Sequence, residues 1–244
     1  MKQIYRLTLI LLITFVATSC SHDDKNPNAE TAYTKAFKML KNRDYSEAAK
    51  AFEKIDDDFP FSKWSVKAQT MAVFAFYKNN DYADVVRVVD DFIRVNPTSE
   101  YIPYMIYMKG MSYYAQIPSI ARAQDNTKLA FSTFRELIAR FPNCEYVDDA
   151  NAKLVVVNEH LAGAKMAVGR YQMSQENYVG AIKNFQEVSQ RFAFTKQGPE
   201  AFYRLTELYY KIGMKKEAYK AYKQAFVRFH DDKWTQKAEK ILEK

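Results

Sequence analysis

One template recurs five times along the chain and constrains the fold more than any other feature. In each copy, a small residue is followed four residues later by a bulky one. Seven residues after the bulky one the predicted helix ends, and in three copies the next residue is a proline. Residues four apart share one helix face, so the small side chain can admit a neighbouring helix while the bulky one fills the space beside it. The template predicts equivalent helices around Ala48, Val85, Ala130, Ala181 and Ala218.

A second amphipathic segment precedes each copy, at 32–40, 65–77, 104–114, 149–173 and 200–212. Only six glycines and seven prolines occur in 244 residues, which favours helices over a turn-rich β-protein. Such helix-turn-helix units are typical of tetratricopeptide (TPR) repeats, which stack to bury a continuous core. We therefore predict an all-α, TPR-like α-solenoid of about five repeats, with an irregular helical bundle as the alternative.

The predicted helical domain spans 31–244, with repeats at roughly 31–62, 63–98, 101–143, 146–195 and 198–234. The small residues stand 37, 45, 51 and 37 positions apart. The two longer intervals predict an insertion at 116–126 in the third repeat and a long first helix in the fourth.

The N-terminus has the pattern of an export signal. Lys2 and Arg6 precede an apolar run at 7–16, which is too short to span a bilayer comfortably. The following Ala17-Thr18-Ser19-Cys20 resembles the lipobox of bacterial lipoproteins. We expect a signal peptide at 1–19, lipid attachment at Cys20 and a flexible tether at 20–30, with outer-membrane sorting implied by Ser21. An ordinary secretory signal with an incidental cysteine is the alternative.

A block of motifs downstream carries a more specific resemblance. These motifs are Phe131-(x2)-Phe134-(x2)-Leu137, Arg140-Phe141-Pro142-Asn143, Glu145-Tyr146-(x2)-Asp149-Ala150, Asn158-(x2)-Leu161-Ala162 and Gly169-Arg170-Tyr171. In these residues the chain resembles the BamD family, lipoproteins of the outer-membrane β-barrel assembly (BAM) machinery. The resemblance implies docking on a POTRA domain of BamA, contact with other BAM lipoproteins where present, and binding of unfolded outer-membrane proteins by the N-terminal repeats. It also implies that the domain faces the periplasm, although the acidic pair Asp23-Asp24 close to Cys20 also resembles the surface-export tails of some lipoproteins.

Two sets of residues are candidates for these contacts. A groove for an extended, aromatic-ended substrate peptide would use Tyr33, Phe37, Phe74, Phe76 and Tyr77, although the same aromatics could instead form the core between repeats. The last fifth of the chain is basic, with 12 Lys and Arg against 7 Asp and Glu from Lys196 onward. Long-range attraction to an acidic POTRA face would use Lys211, Lys215, Lys216, Lys220, Lys223 and Arg228. A solvated helical face with no partner is the alternative for this basic segment.

Catalysis has no candidate constellation in the sequence. His22, His160 and His230 are scattered, and the chain has neither a metal-ligand motif nor a glycine-rich phosphate loop. We expect no enzyme activity, cofactor or metal, and the basic residues lack the dense stripe that nucleic-acid binding favours. The prediction is a scaffold for outer-membrane protein assembly. The alternatives are a TPR lipoprotein that coordinates cell-wall synthesis or envelope constriction, and a surface glycan-binding lipoprotein.

Overall fold

The computed structural model describes residues 28–60 and 62–243, of which none forms a β-strand. The predicted signal peptide, Cys20 and most of the tether lie outside these residues. Eleven helices occupy the described chain: α1 (Ala29–Lys41), α2 (Tyr45–Asp58), α3 (Lys63–Asn79), α4 (Tyr82–Val95), α5 (Ile102–Ala115), α6 (Asp125–Arg140), α7 (Val147–Ser174), α8 (Tyr178–Arg191), α9 (Gly198–Lys211), α10 (Lys215–Phe229) and α11 (Lys233–Leu242).

The helices form five antiparallel pairs followed by a single C-terminal helix. Each helix packs against the next, and α11 packs against both α9 and α10. The first helices of successive pairs also contact one another, from α1 to α3, from α3 to α5 and from α5 to α7. The predicted fold class, a TPR-like α-solenoid of about five repeats, is therefore confirmed, with the first helices as the inner layer of the stack.

The small residues of the template form the centre of the core. All five of them are fully buried at the interface between paired helices: Ala48, Val85, Ala130, Ala181 and Ala218. The bulky residues that follow them are equally buried in the first four repeats, namely Phe52, Val89, Phe134 and Phe185. The fifth, Tyr222, is partly exposed, and its hydroxyl donates a hydrogen bond to Glu239 of α11 at 3.0 Å.

Four of the five hairpin turns contain one residue in the left-handed backbone region. These residues are Arg43 (φ 68°), Asn80 (φ 66°), Glu176 (φ 58°) and Gly213 (φ 83°). Only glycine and, to a lesser degree, asparagine adopt this region at little cost, so Arg43 and Glu176 must be held there by the packing of the helices on either side.

The third and fourth repeats depart from the regular hairpin. The segment between α5 and α6 is an ordered loop, in which the Gln124 amide donates to the carbonyl oxygens of Ser119 and Arg122, both at 2.9 Å. α7 is 28 residues long, as the spacing predicts, and it contacts α6 as well as α8. Ile120 of the loop lies against Gly163 in the middle of α7. The extra length of α7 therefore supports the inserted loop.

Candidate protein-binding surfaces

The exposed side of the first helices carries a periodic series of apolar residues. Phe37 on α1, Phe74 on α3 and Met111 on α5 are each 37 residues apart, and so are Leu40, Tyr77 and Tyr114. All six are partly exposed. We call this series the first-helix face, since equal spacing in a repeat array places equivalent residues side by side.

The predicted groove residues differ in how far they are exposed. Tyr33 and Phe37 stack with their ring centroids 6.2 Å apart, and Tyr33 also packs on Trp64 at 4.9 Å. Phe74 is partly exposed on α3 with the ammonium of Lys78 over its ring. Phe76, in contrast, is buried in the core and does not reach an open surface.

A polar cluster joins the first helices α5 and α7. The hydroxyl of Tyr107 on α5 donates a hydrogen bond to Asp149 of α7 at 2.8 Å, and Lys153 bonds the other carboxylate oxygen at 3.0 Å. Lys153 also lies over the ring of Tyr114. Burial raises the pKa of Tyr77 on α3, whose ring packs edge-on against that of Tyr82 at 5.7 Å.

Sequence reasoning did not identify Tyr107, Asp149 and Lys153 as surface residues of interest. The available signal for Tyr107 was its spacing from Tyr33, which is 74 residues or twice the 37-residue interval. Asp149 could not be placed in the same way, because the insertion before α6 changes the register of the fourth repeat.

The six basic residues predicted to attract a partner are all exposed on α9 and α10. Three of them lie over aromatic rings of the same chain: Lys211 over Tyr178, Lys215 over Tyr210 and Arg228 over Phe202. The other three form no ion pair within residues 28–60 and 62–243: Lys216, Lys220 and Lys223. These three cations are thus available to a partner.

Exposed apolar side chains accompany these cations along α10. Tyr219, Phe226 and Val227 are 58%, 43% and 76% exposed. Lys220 and Arg228 also border a groove of about 510 Å³ between α8 and α10. Apolar and aromatic groups surrounded by charged ones are typical of a protein-protein interface, in which the apolar groups become buried and the charges remain at the rim. We call α10 with its exposed side chains the basic end surface.

The described residues offer no metal site, since no group of three or more His, Cys, Asp and Glu side chains among them is arranged to hold an ion. Cys144 is a half-buried free thiol. Within the described ranges, no helix is both long enough and apolar enough to cross a membrane.

Comparison with known proteins identifies the family of this chain. The family model YfiO, described as outer membrane lipoprotein, matches residues 25–224. The outer membrane protein assembly factor BamD of Caulobacter vibrioides is 31% identical over 95% of this chain and 78% of the relative. The same-named protein of Rickettsia prowazekii is 31% identical over 99% of this chain and 98% of the relative. BamD of Vibrio cholerae is 26% identical over 85% and 91%.

Among solved structures, a crystal structure of MamA protein covers 82% of this chain and 91% of its own, with 18% sequence identity and a TM-score of 0.41. The BamD proteins of Caulobacter vibrioides and Rickettsia prowazekii match 95% and 99% of this chain. The chain belongs to the YfiO family of outer membrane lipoproteins, the family of the BamD assembly factors.

Proposed function

We propose that this protein is a non-catalytic, lipid-anchored scaffold of the machinery that assembles outer-membrane β-barrel proteins, positioned on the periplasmic side. The observation that carries the proposal is similarity across most of the chain to relatives named outer membrane protein assembly factor BamD, including 31% identity over 98% of the Rickettsia prowazekii protein. The solenoid supports it physically, because stacked helix pairs present extended surfaces suited to peptides and partner domains.

The basic end surface is proposed to dock on a POTRA domain of a BamA-like partner. Its exposed aromatic and aliphatic side chains would become buried at the centre of the contact. The unpaired lysines would attract an acidic face at long range and mainly increase the association rate. Lys216, Lys220 and Lys223 therefore contribute electrostatic attraction, while Tyr219 and Phe226 contribute buried area.

Charge reversal of these three lysines tests the docking. We expect the amount of co-purifying BamA-like protein to be at least about tenfold lower with the triple variant Lys216→Glu, Lys220→Glu, Lys223→Glu than with the wild-type chain. A control variant, Lys35→Glu, Lys38→Glu, Lys54→Glu, changes net charge equally on exposed residues of the first repeat. Equal co-purification with both variants at physiological salt would contradict the assignment of the surface.

The first-helix face is proposed to bind extended segments of unfolded outer-membrane proteins. Its partly exposed aromatics can hold apolar side chains of such a segment. Photo-crosslinking groups at Phe37, Phe74 or Tyr114 should capture nascent barrel proteins in native membranes. The same group at the exposed Tyr171, on the far half of α7, should not.

Crosslinking also distinguishes the other two classes of function. Capture of a cell-wall synthase without any assembly component would support a role in cell-wall synthesis or envelope constriction. Capture of a sugar transporter alone would support glycan binding. The described structure offers no exposed tryptophan platform for glycans: Trp64 packs on Tyr33, and Trp234 packs on Tyr203 at 5.1 Å.

Membrane attachment through Cys20 is a separate part of the proposal. Two acyl chains on this residue would hold the domain stably at a bilayer, since each buried methylene contributes about 0.8 kcal/mol. Radiolabelled palmitate should therefore enter the wild-type chain and not a Cys20→Ala variant. Incorporation into the variant would show that the lipid is attached elsewhere.

A further inference from the structure

Two consecutive inter-repeat turns carry the same dipeptide, Glu-Tyr. Glu100-Tyr101 stands directly before α5, and Glu145-Tyr146 stands directly before α7. Together with Tyr104 they border a cleft of about 380 Å³ at the edge of the solenoid. We call it the tyrosine cleft.

The rings of the cleft are close to one another. Tyr104 and Tyr146 have centroids 6.0 Å apart with their planes tilted by 54°. Tyr146 in turn stacks on Tyr107 at 4.8 Å, which fixes its orientation. Burial, followed by the neighbouring Glu145 carboxylate, raises the pKa of Tyr146 to about 12.

Tryptophan occupies the equivalent position in two other turns, and there cations of the chain itself lie beside the ring. Trp64 stands four residues after Pro60, as Tyr101 does after Pro97 and Tyr146 after Pro142. The residue before Trp64 is Lys63, and the ammonium groups of Lys63 and Lys67 lie 5.6 and 5.4 Å from the indole centroid.

The last turn repeats this arrangement. Trp234 follows Lys233, and the ammonium groups of Lys233 and Lys237 lie 5.7 and 4.5 Å from its ring centroid. At both tryptophan turns the chain therefore supplies its own cation to the aromatic face.

At the two tyrosine turns, glutamate replaces the lysine that precedes the ring. No Lys or Arg among the described residues lies over Tyr101, Tyr104 or Tyr146, and none borders the cleft. The carboxylates of Glu100 and Glu145 form no ion pair within the same part of the chain. The tyrosine cleft thus has aromatic faces and negative charge without an internal cation.

The helix dipoles do not cancel this charge. The N-termini of α5 and α7 each contribute roughly half a positive charge, so two full carboxylates leave the cleft negative by about one unit. A cation in contact with both the carboxylates and the rings would gain from each, because an aromatic face attracts positive charge within about 6 Å of its centroid.

We propose that the tyrosine cleft is a binding site for a cationic side chain, the guanidinium or ammonium of an arginine or lysine in a bound polypeptide. The external cation takes the place that Lys63 and Lys233 occupy at the two tryptophan turns. The identity of the bound polypeptide as an unfolded outer-membrane protein rests on the proposed function. The recognition of its cationic side chain does not depend on that function. Its role is to fix the register of an extended segment by anchoring one positive residue.

A titration that requires no client protein tests the site. The full-length protein, with 13C-labelled tyrosine and held in detergent micelles, is titrated with N-acetyl-arginine N-methylamide while its tyrosine ring resonances are recorded. The probe should produce saturable shifts of Tyr101, Tyr104 and Tyr146. The uncharged isostere, N-acetyl-citrulline N-methylamide, should bind at least about tenfold more weakly.

Two variants separate charge in the cleft from charge elsewhere. Glu100→Gln with Glu145→Gln should weaken arginine binding at least about tenfold and leave the helical circular dichroism unchanged. Glu30→Gln with Asp125→Asn removes the same net charge from exposed first turns of α1 and α6 and should leave binding unchanged.

Equal binding of the arginine and citrulline probes would overturn the proposal in favour of an uncharged occupant, as would an equal effect of the two variants. If the arginine probe binds as expected but client segments do not crosslink to the first-helix face, the proposed function fails while the cation site stands.

Discussion

Gly169 on α7 faces the ring of Phe185 on α8 so closely that no side chain fits between them. A Cβ atom built at Gly169 would lie 2.5 Å from Cε1 of Phe185. Gly110 has the same relationship to Phe134 in the third repeat, at 2.6 Å. Contacts below 3 Å require displacement, and both rings are fully buried among other side chains that resist it.

We expect Gly169→Ala to lower the free energy of unfolding by about 1 to 3 kcal/mol, because overpacking outweighs the helix propensity gained by alanine. Chemical denaturation monitored by circular dichroism measures this. Gly180→Ala is the matched control, since its Cβ would meet only the ends of the Asn177 and Gln172 side chains. Phe185→Leu combined with Gly169→Ala should cost less than the sum of the single changes. Strict additivity would contradict the packing argument.

The sizes of the paired residues in the two helices of a repeat are related, and this relationship could be seen in the sequence. Ala36, Val73 and Gly169 each precede the bulky residue of their repeat by sixteen positions, and all three are fully buried or nearly so. Where the first helix carries Val73, the second carries Val89 instead of phenylalanine. Such a relationship recurs at a fixed spacing within each repeat, so the fold could be predicted from the spacing of small and bulky residues.

The exposed side of the first helices could not be predicted in the same way. α3 has apolar residues on several sides, and periodicity does not decide that Phe76 points into the core while Phe74 remains partly exposed. The tyrosine cleft was missed for a related reason. It depends on two turns, 45 residues apart in sequence, meeting at one edge after the repeats stack.

The hydrogen bond from Tyr107 to Asp149 links α5 to α7, and its contribution should depend on pH. Burial alone would raise the pKa of Asp149, but the Tyr107 hydroxyl and Lys153 lower it by more. A depressed folded-state pKa stabilises the fold above the unfolded value of about 4, and this contribution is lost as the pH falls through the folded value.

Tyr107→Phe should therefore destabilise the protein at pH 7 by about 0.5 to 1 kcal/mol, a modest amount because the Asp149 side chain is 44% exposed. The penalty should shrink as the pH is lowered below about 4. Urea denaturation at pH 7 and pH 3.5 measures both values. Tyr171→Phe, at an exposed tyrosine, should show no change at either pH. A penalty for Tyr107→Phe that stays constant with pH would show that Asp149 is not its partner.

Glu159 of α7 should hold the turn between the fourth and fifth repeats. Its carboxylate accepts a hydrogen bond from the backbone N–H of Lys196 at 2.9 Å, across 37 residues of sequence. Glu159→Ala removes the acceptor, and amide exchange of residues 194–198 should accelerate several-fold. Glu159→Gln retains a carbonyl oxygen and should restore most of the protection. If both variants exchange like the wild type, the turn is held by its own backbone contacts.

A second link between these repeats is ionic and partly buried. Glu200 of α9, whose side chain is 14% exposed, accepts from Arg170 of α7 at 3.0 Å and from Arg204 at 3.4 Å. Arg204 also bonds Glu207 at 2.8 Å, and burial, which would lower the pKa of Arg204, is outweighed by these carboxylates. Glu200 therefore compensates two cations at the junction of α7 and α9.

Glu200→Gln should destabilise the junction by about 1 to 3 kcal/mol, since it leaves a partly buried cation with less compensation. Glu47→Gln, which breaks an ion pair with Lys50 in which both side chains are 67% exposed, should cost about 0 to 1 kcal/mol. Denaturation in low and in 0.5 M salt distinguishes the two, because screening weakens exposed pairs most. The double variant Glu200→Gln, Arg170→Leu should recover part of the loss, because one uncompensated cation is then removed. A cost for Glu200→Gln as small as that of Glu47→Gln would mean that the fourth and fifth repeats are joined by their apolar core alone.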